Sequence, residues 1–323
     1  LRRRGEWETK GDVIVCGPDL LPGLLQQITA SSEGTQLDCE DFLGGDYEPM
    51  PTLVEAARRM FEDGDLPNIR RARAATDPAL EICLGIIREA AETKSRRLIL
   101  LSGVPGAGKT LVGIRLSYDR GTRELAIPRA MRRPGNVTEM VHPEITSVFL
   151  SGNGPLVEVL QNALGSNSKN FVQPVRSYVK HHFGERGKSR IPYHHVLIFD
   201  EAQRAWDWEK VERGHKGELE GSEPELFINM ADRVPGWSVV VGLIGTGQEI
   251  HDGEESGVAQ WMSAVASSQN PENWSVHAPP SIANTLDGGS IPVFSDNLLS
   301  LNTTLRSHFA EELHEWVDGL IGS

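Results

Sequence analysis

The chain has 323 residues, 39% of them hydrophobic, with a formal net charge of −13 and a pI near 5.3. That length suits two or so domains with a substantial core, and the acidity argues against a broadly basic nucleic-acid-binding surface while leaving room for a local groove. Three widely spaced cysteines, Cys16, Cys39 and Cys83, give neither zinc-ligand spacing nor a disulfide framework, so the pattern suits a reducing cytoplasm. From the N-terminus, Arg2-Arg3-Arg4 has no apolar run behind it, unlike a signal peptide, and no stretch of the chain approaches the roughly twenty apolar residues of a membrane span. Asp12 to Cys16 predicts a strand and Leu20 to Ile28 a short helix. Phe42 to Tyr47 reads as a connector. Pro51 to Phe61 has helical periodicity, with Leu53, Ala56, Ala57 and Met60 on one side, and a second helix is predicted to begin at Asp77-Pro78 and run through Ala90.

Next comes the apolar run Leu98-Ile99-Leu100-Leu101, followed by Gly103-Val104-Pro105-Gly106-Ala107-Gly108-Lys109-Thr110 and then Leu111 to Leu116. Strand, glycine-rich turn and helix form the setting that G-x-x-x-x-G-K-[ST] requires. Glycines let backbone N–H groups close around a phosphate chain at a helix N-terminus. In that loop Lys109 reaches phosphate oxygens, Thr110 ligates Mg²⁺, and the loop from Gly103 to Leu111 binds the nucleotide. Val148-Phe149-Leu150 predicts another strand, ending in Ser151-Gly152-Asn153-Gly154-Pro155. This is the strand end at which open α/β sheets bind ligands, and its small residues suit contact with a nucleic-acid backbone. The run Val196 to Phe199 leads into Asp200-Glu201-Ala202-Gln203, an apolar strand ending in two carboxylates. Asp200 is expected to hold Mg²⁺ through water and Glu201 to orient the attacking water. Glu209 to Glu225 is strongly charged and reads as a mobile insertion. Trp237 to Ile244 is a further strand, delivering Gln248 to its end, where it can sense a terminal phosphate.

Strands are thus expected near 98–102, 147–150, 195–199, 238–244 and 291–294, with Trp274 to His277 as another candidate. They alternate with helices, which means βαβ units and a mainly parallel sheet. The expected fold is α/β: a RecA-like P-loop NTPase domain over 95–323, with helices flanking the sheet. A small, mostly helical N-terminal region precedes it, made of an extension or tail of a preceding domain (1–46) and a helical lead-in (47–94). Basic clusters at Arg70 to Arg73, Arg129 to Arg133 and Lys180 to Arg190 are ordinarily solvated loops; the latter two, lying between the motifs, are the better candidates for strand contact. His181-His182 and His194-His195 lack metal-site spacing.

From about Tyr47 to Ser323 the linked segments resemble the Schlafen group 3-like DNA/RNA helicase domains, superfamily 1-type P-loop proteins of bacteria. The resemblance rests on Pro51-Thr52-Leu53-Val54-Glu55-Ala56-Ala57, the P-loop, and Phe149 to Val157. It continues through Phe199-Asp200-Glu201-Ala202-Gln203-Arg204-Ala205-Trp206, Gly247-Gln248-Glu249-Ile250 and Leu305-Arg306-Ser307. Gly245-Thr246-Gly247-Gln248 departs from the family's Gly-Asp-x-x-Gln, so Gln248 is its dependable match. The resemblance implies ATP and Mg²⁺ as cofactors, and single-stranded DNA or RNA as partner through Ser151, Gly152 and Asn153. It implies a catalytic set of Lys109, Asp200, Glu201, Gln248 and Arg306, the last stabilising charge on the transferred phosphoryl. It also implies an upstream nuclease-like domain. Motifs V and VI of a second RecA-like domain are not found, so this chain alone is not expected to unwind a duplex. The expected function is an ATP-hydrolysing motor domain of a helicase or translocase; the alternative is a nucleotide-gated switch within a multidomain defence or signalling protein.

Overall fold

The computed structural model describes residues 67–119, 121–133, 137–141, 145–183, 190–214, 221–245, 257–286 and 289–301, with short pieces at 8–10, 13–15, 20, 22–24 and 26. The chain divides into two compact units, Leu1–Pro49 and Met50–Ser323. In the first, β1 (Glu8–Lys10) pairs antiparallel with β2 (Val13–Val15), and residues 22–24 and 26 are helical. Among the described residues, no helix is long and apolar enough to cross a membrane.

The second unit opens with α1 (Pro67–Thr93), a helix of 27 residues. The sequence predicts a helix start at Asp77-Pro78; instead Pro78 lies inside the helix. It is exposed, so it costs one backbone hydrogen bond without forcing a break in the buried face. That face is Ala79, Leu80, Cys83, Leu84, Ile87 and Ala90, spaced three and four apart. Burial pushes the Cys83 thiol up to about 12, which makes it a packing residue rather than a reactive one.

The sheet is built from β3 (Arg96–Gly103), β6 (Ser147–Ser151), β7 (Val172–Pro174), β8 (Val196–Phe199), β9 (Ser238–Gly245), β10 (Trp274–Ala278), β11 (Val293–Ser295) and β12 (Ser300–Leu301). Its eight strands run in the order β11-β10-β3-β9-β8-β6-β7, with β12 also paired to β3. Every pairing in it is parallel. Trp274 to His277, an optional strand by sequence, is β10 and sits beside the P-loop strand. Successive strand residues alternate between two buried cores: Leu98, Leu100, Val148, Leu150, Leu197, Phe199 and Val240 face one, and Ile99, Leu101, Phe149, Val196, Ile198, Val239 and Val241 the other. Both faces are therefore covered, which is why the strands read as continuous apolar runs.

α2 (Lys109–Tyr118) and α3 (Gly154–Ala163) join α1 on the second face; α4 (Val175–Phe183), α6 (Glu223–Arg233) and α7 (Ala259–Ala266) cover the first. The fold is thus an α/β sheet flanked by helices. Three outcomes were not foreseen. Arg129 to Arg133 forms β4, paired antiparallel with β5 (Val137–Val141). The stretch read as a mobile insertion has ordered ends, α5 (Trp208–Gly214) and the start of α6, where Ser222 and Glu225 make a reciprocal capping box. A short helix, α8 (Pro280–Ala283), follows β10.

Candidate nucleotide site

The site forms where three chain segments meet at the C-terminal edge of the sheet. After β3 the chain turns through Gly106 (φ 82°) and Gly108 (φ 93°), backbone positions that side chains resist. Gly108 caps α2, whose first residue is Lys109. The Lys109 ammonium is buried and donates to the carbonyls of Gly103 (2.6 Å) and Val104 (3.1 Å). Val104 in turn donates its N–H to Leu301 on β12 at 3.3 Å, so the last described strand supports the start of the loop.

Asp200 follows β8 and is buried. Its Oδ1 accepts from the Thr110 hydroxyl at 3.3 Å and its Oδ2 from the Ser151 hydroxyl at 3.4 Å. Burial first, and the charge of Glu201 second, push its carboxyl up to about 7. The two hydroxyls and Lys109 oppose that rise without cancelling it. A hydroxyl and a carboxylate converging on one point are the hard oxygen donors a small divalent cation takes.

Glu201 stands in the left-handed region, φ 58° and ψ 45°, a conformation that costs a non-glycine residue on the order of 1–3 kcal/mol and recurs at functional sites. Its Oε2 accepts from the Gln203 amide at 2.6 Å and pairs with Arg204 at 3.7 Å. The Gln203 carbonyl oxygen accepts from the Gly245 N–H at 2.8 Å. Gln203 therefore joins Glu201 to the end of β9, a link that the motif reading of Asp-Glu-Ala-Gln did not specify.

The structure brings Gly103 to Leu111, Asp200 and Glu201 to one edge. Gln248 and Arg306 lie outside the described residues. Ser151, Gly152 and Asn153 lie beside Asp200, with the side chains of Ser151 and Asn153 engaged locally: Ser151 on Asp200, and Asn153 capping α3 by accepting from Leu156 N–H at 3.2 Å. On the β6 side of Asp200 a cavity of about 410 Å³ opens, bounded by Ser151, Arg176, Glu201, Arg204, Trp206 and Glu223 among others. Sequence reasoning missed Arg176, because nothing local marks the second residue of α4 as a neighbour of Trp206.

His194 and His195 are packing residues. His194 bridges the Tyr178 hydroxyl and the Asn170 carbonyl, and His195 bonds the Trp237 carbonyl while stacking on its ring.

No curated protein matches this chain. The family described as Schlafen group 3, DNA/RNA helicase domain matches residues 96–323. The match starts at β3, so the 47–94 part of the sequence resemblance lies outside it, and it spans the P-loop, the β6 turn and the Asp200-Glu201 pair. With well over half its length covered, and with the parallel α/β sheet that its motifs imply, the chain belongs to the Schlafen group 3 DNA/RNA helicase domain family.

Proposed function

We propose that this chain is the ATP-binding and ATP-hydrolysing motor domain of a superfamily 1-like DNA/RNA helicase or translocase, acting in the cytoplasm on single strands. The NTPase part is assigned to 95–323, behind a lead-in (47–94) and the tail of an upstream, nuclease-like domain (1–46). The observation that carries the reading is Asp200, buried and held between Thr110 of the P-loop and Ser151 of β6. This arrangement joins the phosphate loop to the strand that ends in Glu201.

The residues fit ATP and Mg²⁺. A buried ammonium on loop carbonyls and a helix N-terminus beyond two left-handed glycines suit a triphosphate. A buried carboxyl raised to about 7 beside a hydroxyl is a group that a cation would return to its ionised form. Lys109 and the amides of Gly106 to Thr110 would hold the phosphates, and Thr110 and Asp200 the metal. Magnesium, when bound, neutralises charge on the phosphate oxygens. Glu201 orients a water and accepts its proton, with Gln203 fixing the carboxylate and Arg204 lying 3.7 Å from it. Gln248 and Arg306 are assigned to phosphate sensing and to charge stabilisation, on family resemblance.

The test is ATP hydrolysis by the 323-residue chain with and without single-stranded DNA or RNA, beside Lys109→Ala. Stimulation by a strand, abolished in Lys109→Ala, is expected. Hydrolysis indifferent to both polymers overturns the motor reading in favour of a switch.

A further inference from the structure

The side chains of Ser151 and Asn153 are already engaged, so a strand at this edge needs another cationic contact. Arg176 lies in the first turn of α4, just past β7, with its guanidinium carbon 4.0 Å above the Trp206 ring; the Lys210 ammonium lies 5.3 Å from the same ring. Among the described residues Arg176 has no carboxylate partner within ion-pair distance. It is exposed, so ring stacking fixes its plane while its N–H donors face outward.

Trp206 itself is clamped. Its backbone N–H donates to the Glu223 carboxylate at 2.9 Å, and its backbone carbonyl accepts from the Glu223 backbone N–H at 2.8 Å. Glu223 is buried beside the capped start of α6. Two cations thus converge on one indole, its backbone held by Glu223, in a protein of net charge −13. Of the neighbouring carboxylates, Glu223 accepts from Trp206, Asp200 from two hydroxyls, Glu201 from Gln203 while pairing with Arg204, and Asp207 from the Lys210 backbone N–H.

Resting on the reading of this domain as a strand-dependent NTPase, we propose that Arg176, braced on Trp206, takes a backbone phosphate of single-stranded nucleic acid, and that the 410 Å³ cavity beneath it takes the attached nucleoside. Trp206, half-buried at the cavity's edge, gives a base an aromatic ring to pack against, as sites for single strands use. The cavity also reaches Asp200 and Glu201, so a nucleotide unit seated there touches the wall behind the hydrolytic carboxylates.

The experiment is fluorescence anisotropy of labelled oligothymidylate and oligouridylate with the full chain, titrated across salt, for wild type, Arg176→Gln and Trp206→Leu. Arg176→Gln changes an exposed side chain and keeps the fold; a thermal melt qualifies Trp206→Leu. Both variants are expected to bind about tenfold more weakly or worse, and Arg176→Gln to lose about one from the slope of log affinity against log salt. Wild-type binding with unchanged affinity and slope in Arg176→Gln overturns the subsite and leaves strand binding standing. Wild type that neither binds nor responds to either polymer brings down the strand reading and the subsite together. Thymidine or uridine monophosphate competing as well as the oligomers, with the same dependence on Arg176, overturns the strand assignment in favour of a mononucleotide site.

Discussion

Asp200→Asn should stabilise the nucleotide-free protein while abolishing its turnover. The native carboxyl is raised from 3.8 to about 7, by burial first and by Glu201 second. At about 1.4 kcal/mol per pH unit of displacement, the ionised carboxylate costs the fold on the order of 4 kcal/mol once fully charged. The sign follows from proton binding: the native state holds this proton more tightly than the unfolded chain. The stability is therefore fully present below about pH 4, declines as pH rises through 7, and is flat above. Asparagine keeps the shape and bonds to the Thr110 and Ser151 hydroxyls without the charge. In chelator at about pH 8, the variant should melt on the order of 10 °C higher than wild type. The gap should close steadily on acidification toward about pH 4. Adding ATP with Mg²⁺ should raise the melting point of wild type and leave the variant nearly unmoved. A variant no more stable than wild type at pH 8, or a gap that does not change with pH, refutes the reasoning: the carboxylate would then be compensated by groups other than the two hydroxyls and Lys109.

Two further outcomes are specific. Glu201→Gln should still bind ATP but hydrolyse it on the order of a hundredfold more slowly or worse; normal turnover in a rapid-quench assay would remove Glu201 from the role. Gly113→Ala should lower stability by about 1–3 kcal/mol in denaturant melts, the range for overpacking. The new methyl carbon would lie 2.7 Å from a Leu243 methyl and 3.0 Å from the Phe149 ring, between α2 and the sheet. An unchanged midpoint would show that Leu243 and Phe149 can move aside.

The local parts of this fold were legible. A run such as Leu98 to Leu101 is a strand because both faces of the sheet are covered, and the P-loop names its own strand and helix. The observed strands Arg96–Gly103, Ser147–Ser151, Val196–Phe199 and Ser238–Gly245 therefore lie close to the predicted ones. What the sequence could not show is lateral order. Thr110 and Asp200 are 90 residues apart and Gln203 and Gly245 are 42 apart, and no periodicity reports which strand ends become neighbours. Pro78 misled because proline at a helix start and proline on an exposed helix face look alike along the chain. Asn153 was legible as a strand-end residue, but a helix cap and a nucleic-acid contact call on the same amide chemistry, and only the 3.2 Å bond from Leu156 N–H shows where its side chain is engaged.

The lateral order has a mechanical consequence. The P-loop strand β3 and the Asp200 strand β8 are not adjacent; β9 runs between them, paired to each. The Thr110–Asp200 contact therefore reaches across the end of β9, and Glu201 is tied to that same end through Gln203 and the Gly245 N–H. Any displacement of the β9 terminus must either stretch the Gly245–Gln203 bond or carry Gln203 with it. Gln203 bonds the Glu201 carboxylate directly, and Glu201 itself stands in the left-handed region, so the position of Gln203 bears on where that carboxylate lies. A strand that supplies neither phosphate loop nor carboxylate is thus tied to the carboxylate that follows β8.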